Sequence, residues 1–158
     1  MAEGRCHLKL TTVTFRPGQP IPAECTCDDD DLSPHLAWTE APVETRSFAL
    51  VCDDPDAPRG TWVHWVLFNL PAEAVELAPG VPRVPELPSG ARQGVNDSGE
   101  IGYSGPCPPP GKPHRYFFRL YALESALNLR PGVTRAELDR ARTGHVLAEA
   151  TIMGTYQR

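Results

Sequence analysis

Proline and glycine punctuate this chain throughout. Eighteen prolines and thirteen glycines are dispersed over 158 residues instead of forming one low-complexity tract, and they cut the chain into short segments. That pattern favours β-structure joined by long loops. Three apolar runs stand between the breaks. Arg46 to Cys52 (RSFALVC) is nearly continuous, as a strand buried on both faces would be; Trp62 to Asn69 (WVHWVLFN) is the second, and Tyr116 to Leu123 (YFFRLYAL) the third, with Arg119 its one charge. Pro79 to Pro113 is dense in Pro and Gly and far longer than the usual connection of about 4–6 residues, a length that in compact domains signals function or disorder. Function is the better reading here, because its last part, Tyr103 to Gly111, leads directly into the strand after His114. The best helix spans Thr134 to about Ala150. Thr134 and Glu137 form a T-x-x-E capping box, and Leu138, Ala141, His145 and Ala148 recur at helical spacing, which makes His145 a buried structural histidine.

The length suits a single domain, residues 1–158. No apolar run approaches the roughly 18 residues that cross a bilayer, so stable membrane insertion is not expected. The N-terminus lacks the basic and apolar regions of a secretory signal, which makes the cytoplasm the default location. Five cysteines, an odd number without framework spacing, fit reduced thiols. Cys25 and Cys27 would lie about 6.6 Å apart in an extended segment, near the outer limit for a bridge. A net charge of −5 without a basic stripe argues against nucleic acid. Any anion must therefore be held by a local pocket.

Candidate chemistry gathers in two places. Asp54-Pro-Asp-Ala-Pro58 sets two carboxylates two residues apart on a stiff turn. Six residues later His64 interrupts an apolar strand in which alternation puts Trp62, His64, Val66 and Phe68 on one face. Past the long loop, His114 and Tyr116 share one face of another strand while Arg115 points to the other.

Taken in order, Asp54-Pro-Asp-Ala-Pro58, Trp62-Val-His64-Trp65, Gly105-Pro-Cys-Pro-Pro-Pro-Gly111 and His114-Arg115-Tyr116 resemble the signature of the phosphatidylethanolamine-binding proteins, also called Raf kinase inhibitor-like proteins. Ile21-Pro22, Cys25-Thr-Cys27-Asp28, Ser33-Pro34 and Leu36-Ala-Trp38 resemble the family's N-terminal region. Gly144 to Ala148 and on to Gly154-Thr-Tyr156 resemble its C-terminal helix and last strand. The short length and the PCPPPG loop look like the bacterial and archaeal branch. Two features depart from the pattern: the aspartate run Asp28 to Asp31, where relatives more often have a glycine, and Ser98, which replaces an aromatic near Asn96. Both are expected to lie away from the pocket.

The resemblance implies a mainly β fold in which a large antiparallel sheet packs with a smaller one, plus a C-terminal helix, with a ligand site at one end of the sheet. Asp54, Asp56, Pro58, Trp62, His64, Gly105, His114 and Tyr116 are then expected to line or support a cavity for phosphate-like anions, joined by Tyr103 and Pro106. A cis bond before Pro58 is also implied. The histidine N–H groups, the Tyr116 hydroxyl and backbone amides near Gly105 would donate to the anion. Asp54 would accept from a histidine or a protonated phosphate oxygen, and Asp56 would hold the turn. Such a pocket takes a head group, not a whole lipid.

The function expected is non-enzymatic binding of a phosphorylated small molecule or group, with regulation of a kinase or protease as a role the resemblance admits. The alternative is a hydrolase using His64 or His114 as base and Asp54 as orienter, but Ser104 lacks an elbow motif and Cys107 lacks a thiolate-stabilising partner. No cofactor or metal is expected, because no zinc-type spacing occurs. A two-fold homodimer is the commonest oligomer.

Overall fold

A computed structural model describes residues 7–158. Its frame is a five-stranded antiparallel sheet, order β6-β4-β3-β7-β8, comprising β3 (Ser47–Asp54), β4 (Trp62–Pro71), β6 (Arg92–Gln93), β7 (His114–Leu123) and β8 (Val146–Tyr156). A three-stranded sheet, β1 (Lys9–Thr11), β2 (Leu36–Thr39) and β5 (Glu76–Leu77), covers one face. The helix α1 (Arg135–Arg142) and the segment before it cover the other. The three apolar runs are thus β3, β4 and β7.

Burial on both faces explains why β3 reads as an unbroken apolar run, since all eight of its residues are buried. Phe48, Leu50 and Cys52 pack toward the small sheet against Leu36, Trp38 and Phe118, whereas Ala49 and Val51 pack toward the helix with Val133 and Leu138. On β7 the same alternation sends Tyr116, Phe118 and Leu120 inward to the first cluster and Tyr121 and Leu123 to the second. Burying side chains of this size stabilises by about 1.5–3 kcal/mol each. The strand ends that reach the candidate site thus extend from a closely packed centre.

Three expectations need correction. The helix stops at Arg142, because Gly144 takes a left-handed φ of 85° and Val146 to Ala150 switch to period-two burial along β7. The helical spacing seen in the sequence continued through a strand by coincidence, although the Thr134–Glu137 capping box is present. His145 is consequently neither helical nor buried: it is a half-exposed turn residue whose Nδ1 faces Glu124 at 2.6 Å. Finally, no cis peptide bond occurs among the described residues, so Ala57–Pro58 is trans. The turn is held by side-chain and backbone bonds instead, Asp54 Oδ1 accepting from the Asp56 amide (2.7 Å) and Ala57 O from the Gly60 amide (3.1 Å).

Cysteine usage also differs from expectation. Cys27 and Cys107 form a disulfide with Cα atoms 5.5 Å apart and 80 residues between them in sequence. Sequence spacing could not reveal this pair, because the fold creates it: the Cys27 amide donates to Pro106 O at 3.1 Å, laying the two segments side by side. Cys25 and Cys52 are free and buried, and burial pushes the Cys25 thiol up to about 11; Cys6 lies outside the described residues.

Candidate anion pocket

The end of β3, the start of β4 and the start of β7 meet at one end of the large sheet. A cavity of about 210 Å³ opens there. Asp54, Trp62, His64, His114 and Tyr116 line it from the strands, Ala57 and Pro58 from the turn, and Ser98, Ser104, Gly105, Cys107, Pro108 and Pro109 from the long loop.

His64 reaches this cavity through a register fault. Cys52 pairs with Trp65 and Asp53 with Val63, which leaves His64 as an extra residue in β4. A bulge of this kind re-aims side chains. The simple alternation expected along β4 accordingly fails: Val66 and Phe68 pack with Val63 on the helix side, while Trp65 and Leu67 face the small sheet. The long loop clamps the bulge. Val63 N donates to Asp97 Oδ2 (2.7 Å) and Asp97 N to Val63 O (2.9 Å), while Ser104 N donates to His64 O (3.0 Å).

The two histidines have complementary orientations. His64 Nδ1 lies 2.5 Å from the Ser104 carbonyl, and because a carbonyl only accepts, the proton sits on Nδ1. His114 Nδ1 lies 2.7 Å from Asp54 Oδ2. Among the described residues neither Nε2 has a protein partner and neither is sealed off, so both open to the cavity. Tyr116 stands between them, edge-on to His64 at 5.3 Å and stacked on His114 at 6.4 Å between centroids. Burial holds the His64 pKa below the ordinary imidazole range, against the opposing pull of the Ser104 bond and the Asp54 charge. Burial, reinforced by Asp54, raises the Tyr116 phenol, which stays protonated.

Of the residues expected from sequence, Asp54, Pro58, Trp62, His64, Gly105, His114 and Tyr116 line the cavity. Asp56 does not: it takes the Arg115 guanidinium and the Arg115 amide, all at 2.9 Å, which brings together the turn and the start of β7. Tyr103 is buried, edge-on to Trp65, and donates to Cys25 O at 2.7 Å. Pro106 contributes its carbonyl to Cys27 N. These three are supports of the wall.

Gly105 lines the cavity for a different reason from the one expected. Its amide donates to Asp31 Oδ1 at 2.8 Å and is not free for a ligand. A Cβ there would meet Cys25 O at 2.1 Å, so glycine is required by the wall behind the pocket. Of the two departures expected away from the pocket, Ser98 lines it, while the aspartate run stays outside the lining and reaches it only through Asp31, which anchors Gly105 from behind; Asn96 Oδ1 accepts from the Ser98 and Glu100 amides (2.9 and 3.1 Å), folding the turn that presents Ser98. Asn-Asp-Ser-Gly at 96–99 was the turn signal available for that placement. Among the described residues no group of three His, Cys, Asp or Glu is gathered for a metal, and no helix is long and apolar enough to cross a membrane.

Comparison with known proteins agrees with this architecture. A UPF0098 protein of Methanothermobacter thermautotrophicus is 50% identical over 151 residues, 96% of this chain and 99% of the relative. One from Aquifex aeolicus is 45% identical over 157 residues, 98% and 91% of the two chains. Among solved structures, the putative phosphatidylethanolamine-binding protein homolog CT736 of Chlamydia trachomatis superposes with a TM-score of 0.88 at 39% identity, covering 98% of this chain and 99% of that one. YbcL of E. coli, described as a new member of the mammalian PEBP family, gives 0.89 at 32% identity over 96% and 98%. The family model described as phosphatidylethanolamine-binding protein matches residues 11–157, and the chain belongs to that family.

Proposed function

We propose that the cavity binds a phosphate-like anion, free or as a phosphorylated head group, at the two open Nε2 atoms of His64 and His114. One observation carries this reading: both Nδ1 atoms are committed to fixed acceptors, so both remaining nitrogens are aimed into one small cavity beside a protonated phenol. An anion entering such a site exchanges water for directed donors, which it needs because an unpaired buried charge costs many kcal/mol.

The tautomers set the preferred charge state. Neutral His64 offers a lone pair at Nε2, and it donates there only as the imidazolium. A singly charged phosphate can instead give a P–OH proton to that lone pair, and it is repelled less by Asp54. Both routes favour binding as pH falls. Titration calorimetry of inorganic phosphate and of phosphoethanolamine between about pH 5.5 and 8, spanning the ordinary imidazole value of ~6.5, tests this. Affinity should rise toward acid pH; absence of binding, or equal affinity throughout, overturns it.

Serine or cysteine hydrolase chemistry is disfavoured by the same geometry. The Cys107 sulfur is bonded to Cys27, and the His64 nitrogen nearest Ser104 is committed to the Ser104 carbonyl, not the hydroxyl.

A further inference from the structure

The His64 lone pair that accepts a proton in binding is also a nucleophile. Its Nδ1–H is held by the Ser104 carbonyl, which places the lone pair of the neutral ring on Nε2, and that atom opens into the cavity. The ring cannot easily turn away. Its own carbonyl accepts from Ser104 N, the preceding residue is clamped on both sides by Asp97, and Tyr116 lies against its edge. A second imidazole, His114, shares the cavity with its Nδ1 on Asp54 and its own Nε2 open.

We propose that His64 Nε2 is a phosphoryl acceptor, forming an N-phosphohistidine while His114 and Tyr116 hold the oxygens of the transferred group. This inference rests on the anion reading of the same cavity. Burial keeps His64 neutral near neutral pH, so the lone pair is available. His35 is differently placed, with Nδ1 accepting from Val13 N and Nε2 facing Glu76. His145 has an open side chain but stands at the surface beside Glu124, outside the cavity.

The donor class is a phosphoramidate or acyl phosphate, whose leaving group departs without needing a proton. With phosphoramidate, the Nε2 lone pair forms a bond to phosphorus as the P–N bond breaks, and the protonated nitrogen leaves with that electron pair as ammonia. Nδ1–H stays on the Ser104 carbonyl, so the product is an imidazolium carrying a doubly negative phosphoryl group. Discharge to water forms a P–O bond, returns the N–P pair to Nε2 and releases dihydrogen phosphate.

The test is incubation of the folded protein with phosphoramidate, followed by peptide mass spectrometry under alkaline conditions that preserve phosphohistidine. His64 should be labelled about tenfold or more faster than exposed His145, because the donor is held against it, and saturating inorganic phosphate should slow labelling at His64 alone. His64→Asn should abolish this fast phase; the site-resolved rates in the unaltered protein stand even if that variant does not fold. Labelling that follows exposure, with His145 as fast as His64, overturns the inference. Phosphate binding by calorimetry without His64 labelling overturns it too and leaves the anion reading standing. No phosphate binding, with His64 labelling that phosphate does not slow, overturns the anion reading and the shared site together.

Discussion

Asp53 and Asp54 are neighbours on one strand, both nearly fully buried, and they sit in opposite electrostatic settings. Asp53 faces the helix side. Arg119 grips it with two bonds (3.0 and 3.1 Å), Arg135 adds a third (2.9 Å), and Arg135 continues to Asp139, which also takes Arg142. Asp54 faces the cavity, where its partners are the Asp56 amide and His114. The first carboxylate is neutralised by permanent cations and closed to any ligand. The second is matched by an imidazole that keeps its other nitrogen open to the cavity. Strand alternation thus separates a structural charge from one at the candidate site by a single residue.

The contrast can be broken most strongly at the pocket wall. Removing the Cys27–Cys107 bond, by Cys27→Ser with Cys107→Ser, should cost roughly 2–4 kcal/mol in denaturant unfolding, since it frees a long loop in the unfolded chain. It should also weaken phosphate binding, because Cys107 and its neighbours form one side of the cavity. Unchanged affinity after that stability loss would mean the wall is held without the bond.

On the other face, Asp53→Asn should cost about 3 kcal/mol, near the low end for breaking a buried ion pair because both guanidiniums are partly solvated. Urea unfolding measures it. Phosphate affinity should be nearly unaltered, and a large drop would show that the two faces are coupled through β3.

The smallest effect is in pH dependence. The folded pKa of His64 is depressed, so protonation is disfavoured in the fold relative to the unfolded chain. Its contribution is fully favourable above the unfolded value of about 6.5 and is lost as pH falls through that value toward the lower folded one. Melting of the ligand-free protein should therefore decline below about pH 6.5, and His64→Asn should flatten that part of the profile. An unchanged slope in the variant would assign the decline to other groups.

Which parts were legible in the sequence follows from how local their causes are. Strands β3, β4 and β7 and the face shared by His114 and Tyr116 were readable because alternation and burial act residue by residue. The Thr134–Glu137 box was readable because its partners are three residues apart. The bulge at His64 was not, since it exists only in the pairing of β4 with β3. The disulfide and the Asp31–Gly105 bond were hidden for the same reason, each joining segments that meet only after the sheet has formed, whereas the Ser98 turn had a local signal and only its approach to the cavity did not. Even the true strand β8 was masked, because alanines on a two-residue period also satisfy part of a helical one.

The central claim is that the open nitrogens of the cavity, not the charge buried behind them, hold the anion. Its most direct test is the phosphate affinity of His114→Gln beside that of Asp53→Asn, by calorimetry at about pH 6, on the acid side of the range where binding is expected to strengthen. Losing a hydrogen bond to a charged group costs about 1.5–3 kcal/mol, so His114→Gln should weaken binding by roughly 10- to 100-fold while remaining folded. Asp53→Asn should bind nearly as the unaltered protein does. Full affinity in His114→Gln, or its loss in a folded Asp53→Asn, would contradict the claim.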